Sequence, residues 1–181
     1  MALRATVYKV ELQVSDLDRG VFETASLALA RHPSETEERM MVRLLAFALN
    51  AGEGLAFGRG LSNEDEAALW QHDLTGSLRL WIEVGLPDER VLRRAAGRAR
   101  RVIVYAYGGR AVTVWWGQNE AACARIANLA VIDIPQPFSQ ALAACAARAM
   151  QVQVTVQDGD AWVSVGEQTL HLQPVIRKAA G

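Results

Sequence analysis

The chain has 181 residues, a hydrophobic fraction of 51% and a formal net charge of -1. At this length roughly 70% of the unfolded surface is buried on folding, so a core forms without metal or disulfide staples, and the near-neutral balance lacks the strongly basic footprint of a dedicated nucleic-acid binder. No stretch of about 20 apolar residues is present to span a membrane, and the start, Met1-Ala2-Leu3-Arg4, lacks the apolar core of a signal peptide, so the expectation is a single cytoplasmic domain over residues 1–181.

Residues 2–14 alternate, with Val7, Lys9 and Glu11 against Tyr8, Val10 and Leu12, and predict a strand. Ser15 to Arg19 breaks the pattern. Phe22, Leu27, Leu29 and Ala30 then sit at helical spacing and predict a short helix over 20–30. Ser34, with Glu37 three residues on, reads as a capping box. The helix it opens runs through Met40, Met41, Val42, Leu44 and Leu45 to Asn50, with Arg39, Arg43 and Asn50 as a solvated stripe. Glu38 falls on the inward side, where an acid needs a partner or a task.

Residues 54–77 are rich in glycine and acids, with short strands at 55–58. Ser77–Gly85 reads as a largely buried strand, Glu89–Ala99 as a helix entered through Pro87-Asp88, and Arg101–Tyr107 as an apolar strand. Together they predict a right-handed strand–helix–strand unit. After the Gly108-Gly109 turn, residues 111–116 read as a strand, 117–127 as a helix, 129–134 as a strand and 138–149 as a helix. The end changes to period two, Met150–Gln157, Ala161–Val165 and Thr169–Leu172, with Asp158-Gly159 as a hairpin turn. The fold class is therefore α/β: a mixed sheet flanked by helices, with a C-terminal antiparallel meander pairing with the N-terminal strand.

The residues that carry candidate chemistry are carboxylates. Glu83 lies between Ile82 and Val84 where a strand ends, the usual place for a site in an α/β sheet. Glu38 projects inward from its helix, Asp65 and Glu66 lie in the intervening loop, and Asp73 lies nearer the strand. Glu38, Glu83, Asp65 and Glu66 are the candidate catalytic acids. Glu38, Glu83 and Asp73 are the candidate ligands for Mg2+, a hard cation that takes oxygen donors. The same residues also suit plain structural roles. Alternation puts Arg79, Trp81 and Glu83 on one face, arginines abound as partners, and loop acids need no explanation.

Other signals favour packing or solvation. Cys123 and Cys145 have no zinc-type spacing and read as small buried residues. Gly108-Gly109 is not followed by a phosphate-loop pattern. Ser62, Ser77 and His72 lack a nucleophile elbow. His32 and His171 read as structural. Trp115-Trp116, taken as a strand, points to opposite faces, one to the core and one toward a stacking surface. Arg90, Arg93, Arg94, Arg98, Arg100 and Arg101 form a basic run that reads as a solvated face or as a track for phosphates.

Several segments in order resemble one family. They are Ala2–Lys9; Ala30-Arg31-His32-Pro33-Ser34-Glu35-Thr36 with Glu38-Arg39-Met40-Met41; Gly58-Arg59-Gly60-Leu61-Ser62; and Asp65-Glu66 with Leu69-Trp70 and Asp73-Leu74-Thr75-Gly76. Leu80–Gly85 with Pro87-Asp88-Glu89, Tyr107–Arg110, and Trp115-Trp116 with Gln118-Asn119 complete the set. The chain thereby resembles the YaeQ family over nearly its whole length. That resemblance implies a variation on the PD-(D/E)XK nuclease fold, with Glu38 as the helix acid and Glu83 in the strand motif. Two departures stand out. Gly85 occupies the position of the motif lysine, and Ala68 that of the second acid. The resemblance with these losses implies a binding or regulatory module for nucleic acid or another protein. A weak Mg2+-dependent nuclease and an interaction protein with no nucleic-acid role are the alternatives.

Overall fold

The computed structural model describes residues 4–59 and 65–181. In chain order its elements are β1 (Thr6–Asp16), β2 (Val21–Arg31), α1 (Glu37–Leu49), β3 (Leu55–Phe57), β4 (Leu69–His72), β5 (Leu78–Val84), α2 (Glu89–Arg98), β6 (Arg101–Tyr107), α3 (Arg110–Ala124), β7 (Leu129–Ile134), α4 (Gln136–Ala144), β8 (Ala149–Gln157), β9 (Asp160–Val165), β10 (Gln168–Leu172) and β11 (Val175–Lys178). They form two compact units. Unit 1 is Met1–Gly52 with Pro137–Gln173, and unit 2 is Glu53–Gln136 with Pro174–Gly181.

Unit 1 is built on a five-stranded sheet in the order β10-β9-β8-β1-β2. The strict alternation of β1 and β8 decides its faces. Tyr8, Val10, Leu12 and Val14 with Met150, Val152, Val154 and Val156 are buried, and the residues between them are exposed. Fully burying one such side chain contributes about 1.5–3 kcal/mol. The C-terminal meander does pair with the N-terminal strand, and the junction, β8 with β1, is parallel. The single sheet of the sequence reading is in fact two sheets.

Residues 20–30 are not a helix. They form β2, antiparallel to β1 in unbroken register from Thr6↔Arg31 to Asp16↔Val21. Gly20, at φ +67, makes the tight return, and β1's open edge captures a segment whose helical periodicity is weak. The entry to α1 also differs. Its N-cap is Thr36, whose hydroxyl accepts from Arg39 N at 3.1 Å, while the Ser34 hydroxyl contacts His32 Nδ1 at 2.7 Å.

Arg43 is not on a solvated stripe. It is buried, and its Nη2 and Nε meet the two oxygens of buried Glu35 at 2.6 and 2.9 Å. Arg39 also pairs with Glu35, and Arg43 Nη2 reaches Ala30 O at 3.0 Å. This cluster ties the chain before α1 to the helix and to β2.

Unit 2 contains a six-stranded mixed sheet in the order β11-β7-β6-β5-β4-β3. β5, β6 and β7 are mutually parallel, and β4, β3 and β11 add antiparallel edges. The strand–helix–strand reading of β5-α2-β6 holds, with Asp88 capping α2 through Val91 N at 3.0 Å. Residues 111–116 are helical rather than a strand. Both they and the following turns belong to α3, which carries the chain between parallel β6 and β7, and such a crossover needs a dozen or more residues. Trp115 and Trp116 therefore lie about 100° apart on a helix rather than on opposite faces. Trp115 is buried and its Nε1 donates to Pro87 O at 2.7 Å, while Trp116 is half-buried. Among the described residues, no helix is long and apolar enough to cross a membrane.

Removing Glu35 strands a buried arginine. Glu35→Ala is expected to lower unfolding stability by about 3–5 kcal/mol. Arg39→Ala, which removes the more exposed partner, is expected to cost about 1 kcal/mol or less. Urea unfolding of both variants beside the wild-type chain checks the order; equal losses would contradict the buried-pair account.

Candidate functional site

Glu83 sits near the carboxyl end of β5, where the parallel strands of unit 2 finish. Trp81, two residues earlier, shares its face. That face packs on α2 and α3, with Trp81 fully buried among Leu92, Ala95, Val102 and Val104. Indole N–H groups inside a core need an acceptor, and Trp81 Nε1 donates to Glu83 Oε1 at 2.7 Å. The Arg98 guanidinium lies 5.2 Å from the centre of the Trp81 ring. Arg98 also donates to Asp65 O at 2.8 Å, and Arg94 reaches Asp65 Oδ1 at 3.4 Å. Asp65, Arg94, Arg98, Trp81 and Glu83 are thus one connected chain of contacts. Arg94 and Arg98 stand one helical turn apart on α2, a spacing visible in the sequence although the tie to Trp81 was not.

The remaining predicted acids do not join this chain. Glu66 accepts from Arg59 N at 2.8 Å and pins its own loop. Asp73 organises the turn between β4 and β5, accepting from Thr75 Oγ1 at 2.6 Å and from Thr75 N and Ser77 N at 2.9 Å each. It lies at the opposite end of β5 from Glu83, roughly 16 Å away along the strand. Glu38 belongs to unit 1. There its Oε1 accepts from the hydroxyl of fully buried Ser139 at 2.8 Å, which is the partner its inward position required. Ser62 lies outside the described residues.

The fit to magnesium can be judged from these contacts. Among the described residues, no three His, Cys, Asp or Glu side chains are grouped to hold a metal ion. Each of the candidate acids already has a protein donor, and Asp73 is a strand's length from Glu83. Among the described residues, these acids do not form a ready-made Mg2+ site.

Gly85, two residues after Glu83, has a backbone role. Gly85 has φ +115 and its N–H bonds Tyr105 O at 2.9 Å. No heavy atom lies within 4 Å of an added Cβ, so space is not the obstacle. The conformation itself is one that side-chain-bearing residues rarely adopt. Any lysine there would be strained where β5 ends.

Two other predicted features resolve simply. Cys123 is buried in the unit 2 core, and desolvation pushes its thiol up, away from reactive thiolate. Cys145 is only half-buried and contacts Gln168 Oε1 at 3.4 Å. His171 stacks on Trp162 with ring centres 4.9 Å apart and pairs with Asp160 at 2.8 Å.

Residues 1–174 match the family described as YaeQ protein. The chain belongs to the YaeQ family. It is 47% identical over 173 residues to "Uncharacterized protein YaeQ" of Salmonella typhi, covering 96% of each chain. To the protein of that name in Escherichia coli (strain K12) it is 46% identical over 172 residues, covering 95% of each. It also resembles the crystal structure of YaeQ protein from Xanthomonas axonopodis pv. citri, with TM-score 0.93, 48% identity, and coverage of 97% of this chain and 99% of that one. The YaeQ protein from Pseudomonas syringae gives TM-score 0.92 at 40% identity, with 97% of each chain covered.

Two substitutions test the structural roles given to the acids. Glu83→Leu leaves the Trp81 N–H without this acceptor and is expected to cost about 1–3 kcal/mol. Glu83→Gln keeps a side-chain oxygen and is expected to cost less, as read by urea unfolding with tryptophan fluorescence. At Asp73, the Thr75 hydroxyl foremost, then the Ser77 and Thr75 backbone N–H groups, with Arg100 adding charge, hold the carboxyl below the ordinary aspartate range. A depressed folded pKa gives stability that is present above the unfolded pKa and lost as pH falls through the folded one. Asp73→Asn is therefore expected to be less stable at neutral pH, with the gap in melting temperature closing as pH drops below the usual aspartate value. A gap that stays constant with pH would remove the charge from the explanation.

Proposed function

We propose that the chain is a non-cleaving binding module on a PD-(D/E)XK nuclease-like fold, and that unit 2 engages nucleic acid through phosphate contacts. The observation that carries this reading is a concentration of arginine. Arg90, Arg93, Arg94 and Arg98 fall on α2, Arg100 in the connection after it and Arg101 at the start of β6, and five of the six are exposed. Unit 2 has 12 basic and 10 acidic residues, whereas unit 1 has 7 and 10. The near-neutral total thus conceals a separation of charge between the two.

Part of the arginine charge is spent within the protein. Arg93 pairs with Glu89, Arg94 with Asp65, and Arg100 approaches Asp73 at 3.7 Å. Such exposed pairs are weak and easily exchanged for phosphate. The fork of donors on arginine suits bidentate phosphate contacts. α2 is about 15 Å long and offers its stripe to several phosphates in succession. Cleavage is left out of the reading because Glu83 holds the Trp81 indole, Gly85 stands where the lysine would, and Ala68 stands where the second acid would. The cytoplasm is the compartment such a role requires.

Fluorescence anisotropy with a labelled duplex in EDTA tests the proposal. Binding is expected in the range of about 10⁻⁴–10⁻⁶ M at physiological salt, strengthening as salt falls. Arg90→Ala/Arg93→Ala is expected to reduce the salt slope by up to about 1.8. Absence of binding at low salt would sink the proposal, and cleavage on adding magnesium would replace it with the nuclease reading.

A further inference from the structure

β2 is an edge strand of the unit 1 sheet: its inner neighbour is β1, and no described strand pairs with its outer edge. Such an edge presents a row of backbone donors and acceptors, and natural sheets guard it with short strands, proline, charged side chains or a bulge. β2 is neither short nor bulged, and its only charges are Glu23 and Arg31. It runs for 11 residues, Val-Phe-Glu-Thr-Ala-Ser-Leu-Ala-Leu-Ala-Arg, without proline, glycine or lysine. Its register with β1 shows no shift along the whole length. Phe22, on the open face, is 65% exposed, while Val21, Ala25 and Leu27 on the inner face are half-covered.

We infer that this edge pairs with the same edge of a second copy of the chain, antiparallel, about a two-fold axis at Leu27. The charges of the strand select both the occupant and the register. β2 carries one acid, Glu23, and one base, Arg31, equally spaced about Leu27. A two-fold there sets Glu23 of each copy opposite Arg31 of the other, Ala25 opposite Leu29, and Leu27 opposite itself. The offset is even, so inner-face residues meet inner-face residues and the apolar face continues across the joint. A two-fold at Ser26 instead places Glu23 against Leu29 and Arg31 against Val21, and one at Ala28 places Glu23 against Pro33. Neither pairs the charges. Opposite charges directly across an antiparallel pair stabilise it and like charges destabilise it. Arg31 is partly engaged within its own chain, its Nη1 donating to Glu35 O at 2.8 Å, so the contact with Glu23 of the second copy falls to its other terminal nitrogen or to a small turn of the side chain. The interface is isologous, each copy offering the same strand, as closed dimers require. The product is a ten-stranded sheet made of two five-stranded ones.

The test is sedimentation velocity on the full chain, with wild type, Glu23→Arg, Leu27→Cys and Thr24→Cys side by side. The wild type is expected to be dimeric at about 100 µM and to dissociate on dilution, as mass action demands. Glu23→Arg sets arginine against arginine twice, and is expected to raise the dissociation constant by about tenfold or more while leaving the circular dichroism unchanged. Under mild oxidation Leu27→Cys is expected to form a disulfide-linked dimer, because that residue alone meets itself. Thr24→Cys, which faces Ala30, is expected to cross-link no more than the wild type, whose own Cys123 and Cys145 set the background. A wild type that stays monomeric overturns the inference. So does a dimer that survives Glu23→Arg and fails to cross-link through residue 27, since it would use another surface.

Discussion

Eight consecutive residue pairs join β1 to β8, from Lys9↔Ala149 to Asp16↔Val156, and unit 1 depends on them. The pairing is parallel, so the chain cannot make it through a tight turn. Here the connection is long enough to contain most of unit 2, which leaves unit 1 at Gly52 and returns to it at Pro137. The closing entropy of so long a loop rises only slowly with length. What fixes the register is the matched burial of Val10, Leu12 and Val14 with Met150, Val152 and Val154. A slip of one residue would turn each of these outward. The Asp18 carboxylate adds a second tie between distant segments, accepting from the N–H groups of Asp158 and Gly159 at 2.8 and 2.9 Å across the β8–β9 turn.

Within unit 2 the same demand, that buried polar groups be satisfied, decides what the acids do. Trp81 is the largest fully buried side chain, and its indole needs an acceptor. Glu83 is the residue two positions along the same face, so the strand itself supplies one. Arg98 covers the ring and reaches Asp65, so a carboxylate, an aromatic ring and two arginines from a loop, a strand and a helix hold one another in place. The Trp81 indole takes one oxygen of Glu83, and a metal ion that displaced it would strand the donor of a buried tryptophan. That exchange is costly, because an unpaired N–H in the core loses its full solvation. Gly85 follows from the same location: the backbone turns out of β5 with positive φ and bonds across to β6, so the position two residues after Glu83 serves chain direction.

The alternating strands, the β5-α2-β6 crossover and the Asp158-Gly159 hairpin were legible in the sequence because burial imposed period two or 3.6 on them. The failures share a different cause. β2 is exposed over much of both faces, so no alternation marks it, and Leu27 and Leu29 fit a helix or a strand. Val112, Val114, Trp115 and Trp116 favour strands locally. The two flanking strands, Arg101–Tyr107 and Leu129–Ile134, were both recognised as apolar, and their parallel pairing requires a crossover that a helix fills. That topological rule outweighs the propensity. Arg43 was placed in solvent because arginine usually is. Buried Glu35 reverses that, and a lone acid just before the helix start gave little warning. At the candidate site, Glu38 alone reads in the sequence as an acid that needs a partner, while Asp65 in its polar loop asks for none. Which partners they took is a matter of tertiary contacts, and only the one-turn spacing of Arg94 and Arg98 foreshadowed any of it.

The charge separation gives these observations a common direction. Unit 1 carries an excess of three acids and unit 2 an excess of two bases, although the chain as a whole is within one charge of neutral. Long-range attraction for a polyanion depends on the local patch rather than on the net charge, because fields from charges beyond about 10 Å are screened at ordinary ionic strength. The field at the arginine stripe on α2 is therefore set by its own surroundings, where Glu89, Asp65 and Asp73 are the paired acids. A stripe of a few arginines neutralises only a few phosphates, so contacts of the kind proposed are weak and salt-sensitive.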